Sequence, residues 1–382
     1  MDTFFQIMKI ALFSSTLDVK NGYGNITYEL CKALVAKNID FELFLPKHEE
    51  GKFALEINFP VHYVLPEYIF RIKTPKALPY FFQDIDVSKF DLVHSLFDFP
   101  YAFMIARLAR KYRKPFLMGS QGTYGVAPLT YFPEKYMLKW AYRQAKEIMV
   151  PSTFTKSKIL EYAHTTYPIS IIHNGVNFSR FNQDVDESSI RAKYPGKKIL
   201  ITVGGPKKRK GQDIVIRAMP KVIAEYPDVV YLVIGGQPTG DDRKNMIELA
   251  QGLGVGEQVV FTGQVNDEDI IKYFRACDVY VHTPRVSNLN FEGFGIVYIE
   301  AGACGKPSVA TDSGGIRDAV VENKTGLIAP DEDSDTVARH IVTLLKDDTL
   351  RSQMGERAKE YAREHDWSII AEQYIEQYKK YS

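Results

Sequence analysis

The chain has 382 residues, 45% of them apolar and 25% charged, and a formal net charge of +1. That is ordinary globular composition, long enough for two domains, with no whole-molecule field that would draw nucleic acid. Cys31, Cys277 and Cys304 show no paired spacing, which excludes a disulfide framework and a zinc site and points to a reducing, cytoplasmic compartment; no secretory leader and no membrane-spanning run of about 18 apolar residues are expected.

Residues 1–7 read as an extension, and Met8-Lys9-Ile10 as the start of the first strand. From there short apolar, β-branched runs alternate with amphipathic helical stretches. In the first half the expected strands are Ile10–Ser15, Phe41–Pro46, Leu92–Leu96, Phe116–Gly119, Ile148–Pro151 and Ser170–His173. In the second half they are Ile199–Gly204, Val230–Gly235, Val259–Gly263, Val279–Thr283, Ser308–Thr311 and Gly326–Ala329. Most are apolar throughout rather than alternating, the pattern of parallel strands covered on both faces. Residues 25–37 place Ile26, Leu30, Ala33 and Leu34 on one helical stripe, and 334–346 and 350–363 also read as helix. Six strands, a break at His173-Asn174-Gly175-Val176-Asn177, and six more strands predict an α/β chain of two doubly wound, Rossmann-like domains, 1–177 and 178–366. The last helix, 367–381, has no strand after it.

Three segments carry chemistry. Asn21-Gly22-Tyr23-Gly24-Asn25-Ile26 follows the first strand, but Thr27 takes the third glycine slot of a dinucleotide fingerprint, and Pro46-Lys47 stands where a ribose-binding acid would end the second strand. Val203-Gly204-Gly205-Pro206-Lys207-Lys208-Arg209-Lys210-Gly211 leaves a strand, gathers cations and enters a helix. It reads as a basic loop, solvated or facing a diphosphate whose departure needs positive charge. Asn290-Phe291-Glu292-Gly293-Phe294-Gly295-Ile296-Val297 leads into a buried helix whose first amides form an anion site. Glu300 lies five residues beyond Gly295, roughly 7 Å along the axis at about 1.5 Å per residue. Two carboxylates on either side of a phosphate site suit a nucleotide-sugar.

The Glu292–Glu300 stretch resembles the Glu-x7-Glu signature of retaining glycosyltransferases with the GT-B fold, in particular family 4. Lys210-Gly211 resembles the family's Lys-Gly, with Arg209 as second cation, although Gly205 stands where the family often has arginine. Asp91-Leu92-Val93-His94, Val150-Pro151-Ser152, the break at 173–177, Asp312-Ser313-Gly314-Gly315-Ile316 and Asn323-Lys324-Thr325-Gly326-Leu327 resemble further family motifs in the same order.

The resemblance implies two domains facing a cleft, with the tail 367–382 packing back on the first, acceptor-binding domain and the second holding the nucleotide-sugar. It implies that Glu300 binds the ribose, and that Glu292 with Gly293, Phe294, Gly295, Ile296 and Val297 orients the sugar and its phosphate. It implies that Gly22 and Gly24 approach the donor phosphates and that Arg209 and Lys210 neutralise the leaving diphosphate. Neither metal nor cofactor is expected. Asp331-Glu332-Asp333 looks like a metal motif but stands before a helix, where Asp caps. Two departures stand out. Gln121 occupies the place of the family's histidine near the reacting carbon; it can position a sugar hydroxyl but carries no proton at neutral pH. The link Pro284–Asn290 is longer than usual and is expected to reshape the sugar pocket. His94 faces the cleft and positions sugar or acceptor, or is a satisfied strand-end histidine.

The expected partners are a nucleotide-sugar, UDP ahead of GDP, and a glycan, glycolipid or small-molecule acceptor, with no nucleic acid. Aromatics and cations at Tyr68–Phe82, and again at Tyr124–Trp140, can pack on the core, line an acceptor groove or touch a membrane surface transiently, which leaves a peripheral place at the inner membrane face open. Two other readings stay open: a glycosidase using Glu292 and Glu300, and a non-catalytic nucleotide-sugar-binding subunit.

Overall fold

The computed structural model describes residues 8–53, 56–69, 71, 75–164, 166–236 and 241–382. The chain divides into two compact units, one running to Asn174 and taking in Trp367–Ser382, the other spanning Gly175–Asp366.

The first unit holds a parallel sheet of β1 (Lys9–Phe13), β2 (Asp40–Pro46), β3 (Val61–Leu65), β4 (Leu92–Ser95), β5 (Phe116–Gly119), β6 (Glu147–Val150) and β7 (Ile169–Ile171), in the order β3-β2-β1-β4-β5-β6-β7. Ile10, Ala11, Leu12 and Phe13 are fully buried, which is why β1 reads as an unbroken apolar run. Leu12 lies opposite Leu43 on one side and His94 on the other. The sheet has seven strands, not the six expected, because β3 carries little sequence signal. It is a half-exposed edge strand between Pro60 and Pro66, with His62 and Tyr63 breaking the apolar run. An edge tolerates all of these.

Asn21 accepts the Gly24 amide at 2.8 Å and so caps the helix Gly22–Ala36, whose Ile26, Leu30 and Leu34 are buried. The closing helix Trp367–Tyr381 belongs to this unit and packs on Gly22–Ala36. Its Tyr378 hydroxyl meets His94 Nδ1 at 2.9 Å, and its Tyr381 hydroxyl donates to Glu147 at 2.7 Å.

The second unit holds β8 (Lys198–Val203), β9 (Val229–Ile234), β10 (Val259–Gly263), β11 (Val279–His282), β12 (Ser308–Thr311) and β13 (Gly326–Ala329), all parallel, in the order β10-β9-β8-β11-β12-β13. Side chains of β8 alternate between two cores. Ile199 and Ile201 join Leu232, Phe274 and Tyr280; Leu200 joins Val281, Val309, Ile341 and Leu344. Each aliphatic side chain so buried contributes roughly 1.5–3 kcal/mol. The Val176 amide donates to His365 O at 2.8 Å and the Phe178 amide to Asp366 at 3.1 Å. These bonds tie residues 176–178 to the second unit, which begins at Gly175.

In an open parallel sheet, ligands bind beyond the carboxyl ends of the strands where the order reverses. In the first unit that point lies between β1 and β4; in the second it lies between β8 and β11.

Candidate functional site

Two loops meet at the switch point of the second unit. The loop after β8 turns through Lys208–Lys210 and ends at Gly211, whose φ of +73° already favours glycine. A Cβ at Gly211 would lie 1.6 Å from Thr283 O, so here the backbones of the two loops touch. Thr283 Oγ1 donates to Gly211 O at 2.7 Å and the Arg285 amide to Arg209 O at 3.0 Å. Arg285 in turn is paired with Asp213 at 2.9 Å. Within the long link, Ser287 and Asn290 exchange two backbone hydrogen bonds of 2.9 Å around Asn288, which sits at φ +55°.

The lacing brings together side chains 82 positions apart in sequence. Lys210 Nζ lies 2.8 Å and Arg209 Nη1 3.4 Å from Glu292 Oε2. Glu292 is fixed from behind, since the Gly315 amide donates to its carbonyl at 2.8 Å and a Cβ at Gly314 would come within 2.4 Å of that oxygen. Burial raises the Glu292 carboxyl, but Lys210 and Arg209 outweigh that and hold it down to about 2. The site is therefore a compact ion cluster, with one carboxylate shared by two cations.

The helix Ile296–Ala303 begins beside it. Gly295 stands at φ +93°, where a Cβ would meet the Tyr298 ring at 2.8 Å. Gly293, Ile296 and Val297 are half-buried, whereas the Phe294 side chain is core and stacks near His365 at 6.0 Å. Phe294 can thus offer a ligand only its backbone. Glu300 is on the same helix, and burial pushes its carboxyl up to about 7, with Arg180 the foremost cation acting against that. The two glutamates therefore differ sharply in ionisation.

In the first unit two of the expected residues are engaged by their own surroundings. His94 is completely buried, lies among Tyr374 and Tyr378 of the closing helix, and spends Nδ1 on Tyr378; burial pushes it down to about 3. Its Nε2 is buried without a partner among the described residues. Gly24 is buried, gives its amide to Asn21, and would place a Cβ 2.1 Å from Asp18 O. The close approach to Asp18 requires glycine there. Gly22 by contrast is exposed, and a Cβ there would meet nothing within 4 Å. Gln121 follows β5 and gives its amide to Asp98 at 3.1 Å, while its Oε1 is buried without a partner among the described residues.

Two residues at these places escaped sequence reasoning. Asp98, just beyond β4, is 2% exposed, and burial pushes its carboxyl up to about 7. His282, the last residue of β11, is fully buried. Their only sequence signal is a polar residue at the carboxyl end of a strand, and that signal acquires meaning only once strand order is known. Asp333 caps the helix Ser334–Lys346 through the Asp335 and Thr336 amides, both at 3.0 Å, and Glu332 pairs with Arg285. No metal-ligand cluster occurs among the described residues. In the aromatic stretch Tyr68–Phe82, Ile69 and Tyr80 are buried, Arg71 pairs with Glu134 at 2.8 Å, and Leu78 and Phe82 are exposed; Phe70 and Lys73 lie outside the described residues. Phe132 and Tyr136 are also exposed. Among the described residues no helix is long and apolar enough to cross a membrane.

Comparison with known proteins agrees with this architecture. The family model described as Glycosyl transferases group 1 matches residues 185–361, and that described as Glycosyltransferase Family 4 matches residues 20–180. Similar proteins include a GDP-mannose-dependent alpha-(1-6)-phosphatidylinositol monomannoside mannosyltransferase of Mycolicibacterium smegmatis, 32% identical over 55% of this chain and 56% of that protein. Another is a D-inositol 3-phosphate glycosyltransferase of Corynebacterium urealyticum, 31% identical over 55% of this chain and 51% of that protein. The chain thus spans about half the length of the curated relatives it matches. Among solved structures, Anabaena Alr3699/HepE in complex with UDP has a TM-score of 0.77 at 20% identity, covering 98% of this chain and 100% of that one. A glycosyltransferase from Rickettsia africae has a TM-score of 0.79 at 20% identity, covering 98% and 99%. The two family models, which between them reach from residue 20 to residue 361, place this chain in the glycosyltransferase group 1, family 4 family.

Proposed function

We propose that this chain is a retaining, metal-independent glycosyltransferase that moves a hexose-type sugar from a nucleoside-diphosphate donor to a hydroxyl of a glycan, glycolipid or small-molecule acceptor. The observation that carries this reading is the ion cluster of Lys210, Arg209 and Glu292 at the switch point, beside the start of the helix Ile296–Ala303. A departing diphosphate needs preorganised positive charge, which is worth most where water is excluded. Lys210 and Arg209 supply it. Glu292 is ionised at every physiological pH and suits hydrogen bonds from sugar hydroxyls, while Glu300 serves the ribose. Within the second unit the backbone of Gly293–Val297 completes the donor contacts. Transfer proceeds with retention through an oxocarbenium-like state, with the leaving phosphate accepting the acceptor's proton.

The names of relatives favour GDP-mannose as donor and an inositol-type acceptor, and structural neighbours were solved with UDP and UDP-glucose, so both bases belong in the first screen. The exposed Leu78, Phe82, Phe132 and Tyr136 support transient contact with a membrane surface on the cytoplasmic side. The glycosidase reading has one point in its favour, two carboxyls with their pKa values pushed apart. It leaves the two cations without a task.

The test is a panel of nucleotide-sugars with EDTA present, read by thermal stabilisation and slow hydrolysis. One donor responding without metal is the expected result; release of sugar from nucleotide-free glycosides alone would favour the glycosidase. In the responding system Lys210→Ala should lower kcat far more than it raises the acceptor KM. Intact turnover in that variant would remove Lys210 from the diphosphate role.

A further inference from the structure

His282 ends β11 at the switch point, is 0% exposed, and has no hydrogen-bond partner for either Nδ1 or Nε2 among the described residues. A buried polar group without a partner carries the full cost of leaving water, so native proteins rarely keep one without a use. The hydroxyl of Tyr280, two residues back on the same face of the strand, is also buried and unpartnered among the described residues. Tyr298 closes the other side. Its ring lies 5.5 Å from the imidazole, and its hydroxyl donates to the His282 carbonyl at 2.6 Å. Tyr298 therefore fixes the backbone at His282 and has no proton left for the ring. The charges that act on the imidazole are those of the ion cluster: Lys210 and Arg209 disfavour its protonated form and Glu292 favours it. Burial, with those cations, pushes it down to about 3, so it is neutral, with one N–H to give and one nitrogen to receive.

In the ion cluster Glu292 already has a partner, since Lys210 holds it at 2.8 Å. A diphosphate competes for that same Lys210, and a half-buried carboxylate that loses its cation needs another donor. Resting on the donor-site reading above, we propose that His282 is the positioning residue that takes over Glu292 when the donor diphosphate draws Lys210 and Arg209 away, its N–H holding the carboxylate toward the sugar. The second ring nitrogen is then an acceptor that the Tyr280 hydroxyl can meet. The role predicts a division between the two ends of the donor: His282 matters to the sugar end and not to the phosphates.

The experiment is calorimetric titration of the full chain, as wild type, His282→Phe and His282→Gln, with UDP, UDP-glucose, GDP and GDP-mannose. For the nucleotide that binds, His282→Phe should weaken the sugar-bearing ligand roughly tenfold or more, the size of a hydrogen bond to a charged group, and change the sugar-free diphosphate by less than about twofold. His282→Gln, which keeps a donor, should recover most of the loss. In 15N-labelled wild type the His282 ring signals should move when the sugar nucleotide is added. Equal losses for both ligands, or no loss for the sugar nucleotide, would overturn the proposal, as would ring signals that stay still. If the wild type binds none of these ligands, the donor-site reading itself fails and this inference goes with it.

Discussion

Exchanging Lys210 for Met keeps the aliphatic stem and removes the cation, and the cost can be worked from the cluster. Glu292 is held at about 2 against an ordinary 4.5, even though burial acts the other way. That difference corresponds to ~3 kcal/mol. Because burial opposes the cations, that figure is a lower bound on their joint effect; Lys210, nearer and less exposed than Arg209, supplies the larger part, at least about 2 kcal/mol. For a domain of this size that lowers Tm by roughly 4–8 °C. A carboxyl whose folded pKa is depressed adds stability that is fully present above its unfolded value near 4.5 and disappears as pH falls through about 2. The difference between wild type and Lys210→Met should therefore be complete at pH 7 and shrink in acid. Glu292→Gln and the double variant close the cycle. The coupling between the two positions should be about 1.5–2 kcal/mol by urea unfolding at pH 7. A coupling below about 0.5 kcal/mol, or a Lys210→Met deficit that stays constant down to pH 3, would refute the reasoning, since the pair would then be no better than an exposed ion pair.

Glu300→Gln should stabilise the protein above pH 7 by at most ~3 kcal/mol, because burial holds the carboxyl near 7 and the folded state resists its ionisation from 4.5 upward; a difference that persists unchanged at pH 4.5 would contradict this. His94 and the unfolded chain differ in the opposite sense. Its imidazole is pushed down to about 3 while the unfolded chain takes up a proton near 6.5, so stability falls as pH drops below 6.5, by about 2 kcal/mol at pH 5. His94→Gln should flatten that part of the urea-stability profile, and an unaltered slope between pH 7 and 5 would count against it. Gly211→Ala and Gly196→Ala share nearly the same φ, +73° and +74°, but only Gly211 has backbone in the way. Unfolding measurements should find about 1 kcal/mol lost at Gly196 and at least about 3 kcal/mol at Gly211; equal losses would mean that the loops after β8 and β11 do not touch as described.

The architecture was legible because central parallel strands have no solvent face: Leu12, Ile201 and Val281 are apolar whichever way they point. β3 was not, since an edge strand needs only half its residues buried and Pro60 and Pro66 hide its limits. Lys210 and Glu292 were legible as separate motifs, but their 2.8 Å contact depends on β8 and β11 being neighbours, a property of strand order. The surroundings of His94 were illegible for the same kind of reason. The strand that carries it ends at a switch point, yet a helix some 280 residues later in the chain covers it. Nothing local marks His282 as an imidazole whose nitrogens find no partner among the described residues. Motif reading reached the groups that would touch a ligand and missed the layer beneath them.

The closing helix has a consequence for synthesis. Since Trp367–Tyr381 completes the first unit while the whole second unit lies between them in the chain, the face of Gly22–Ala36 that it covers emerges from the ribosome long before its cover does. At about 5–20 residues per second the intervening residues 175–366 take roughly ten to forty seconds to make. During that interval the first unit stands with the His94 ring uncovered by Tyr374 and Tyr378. The first unit is therefore finished after the second, and a chaperone or a neighbouring nascent chain has its best opportunity there.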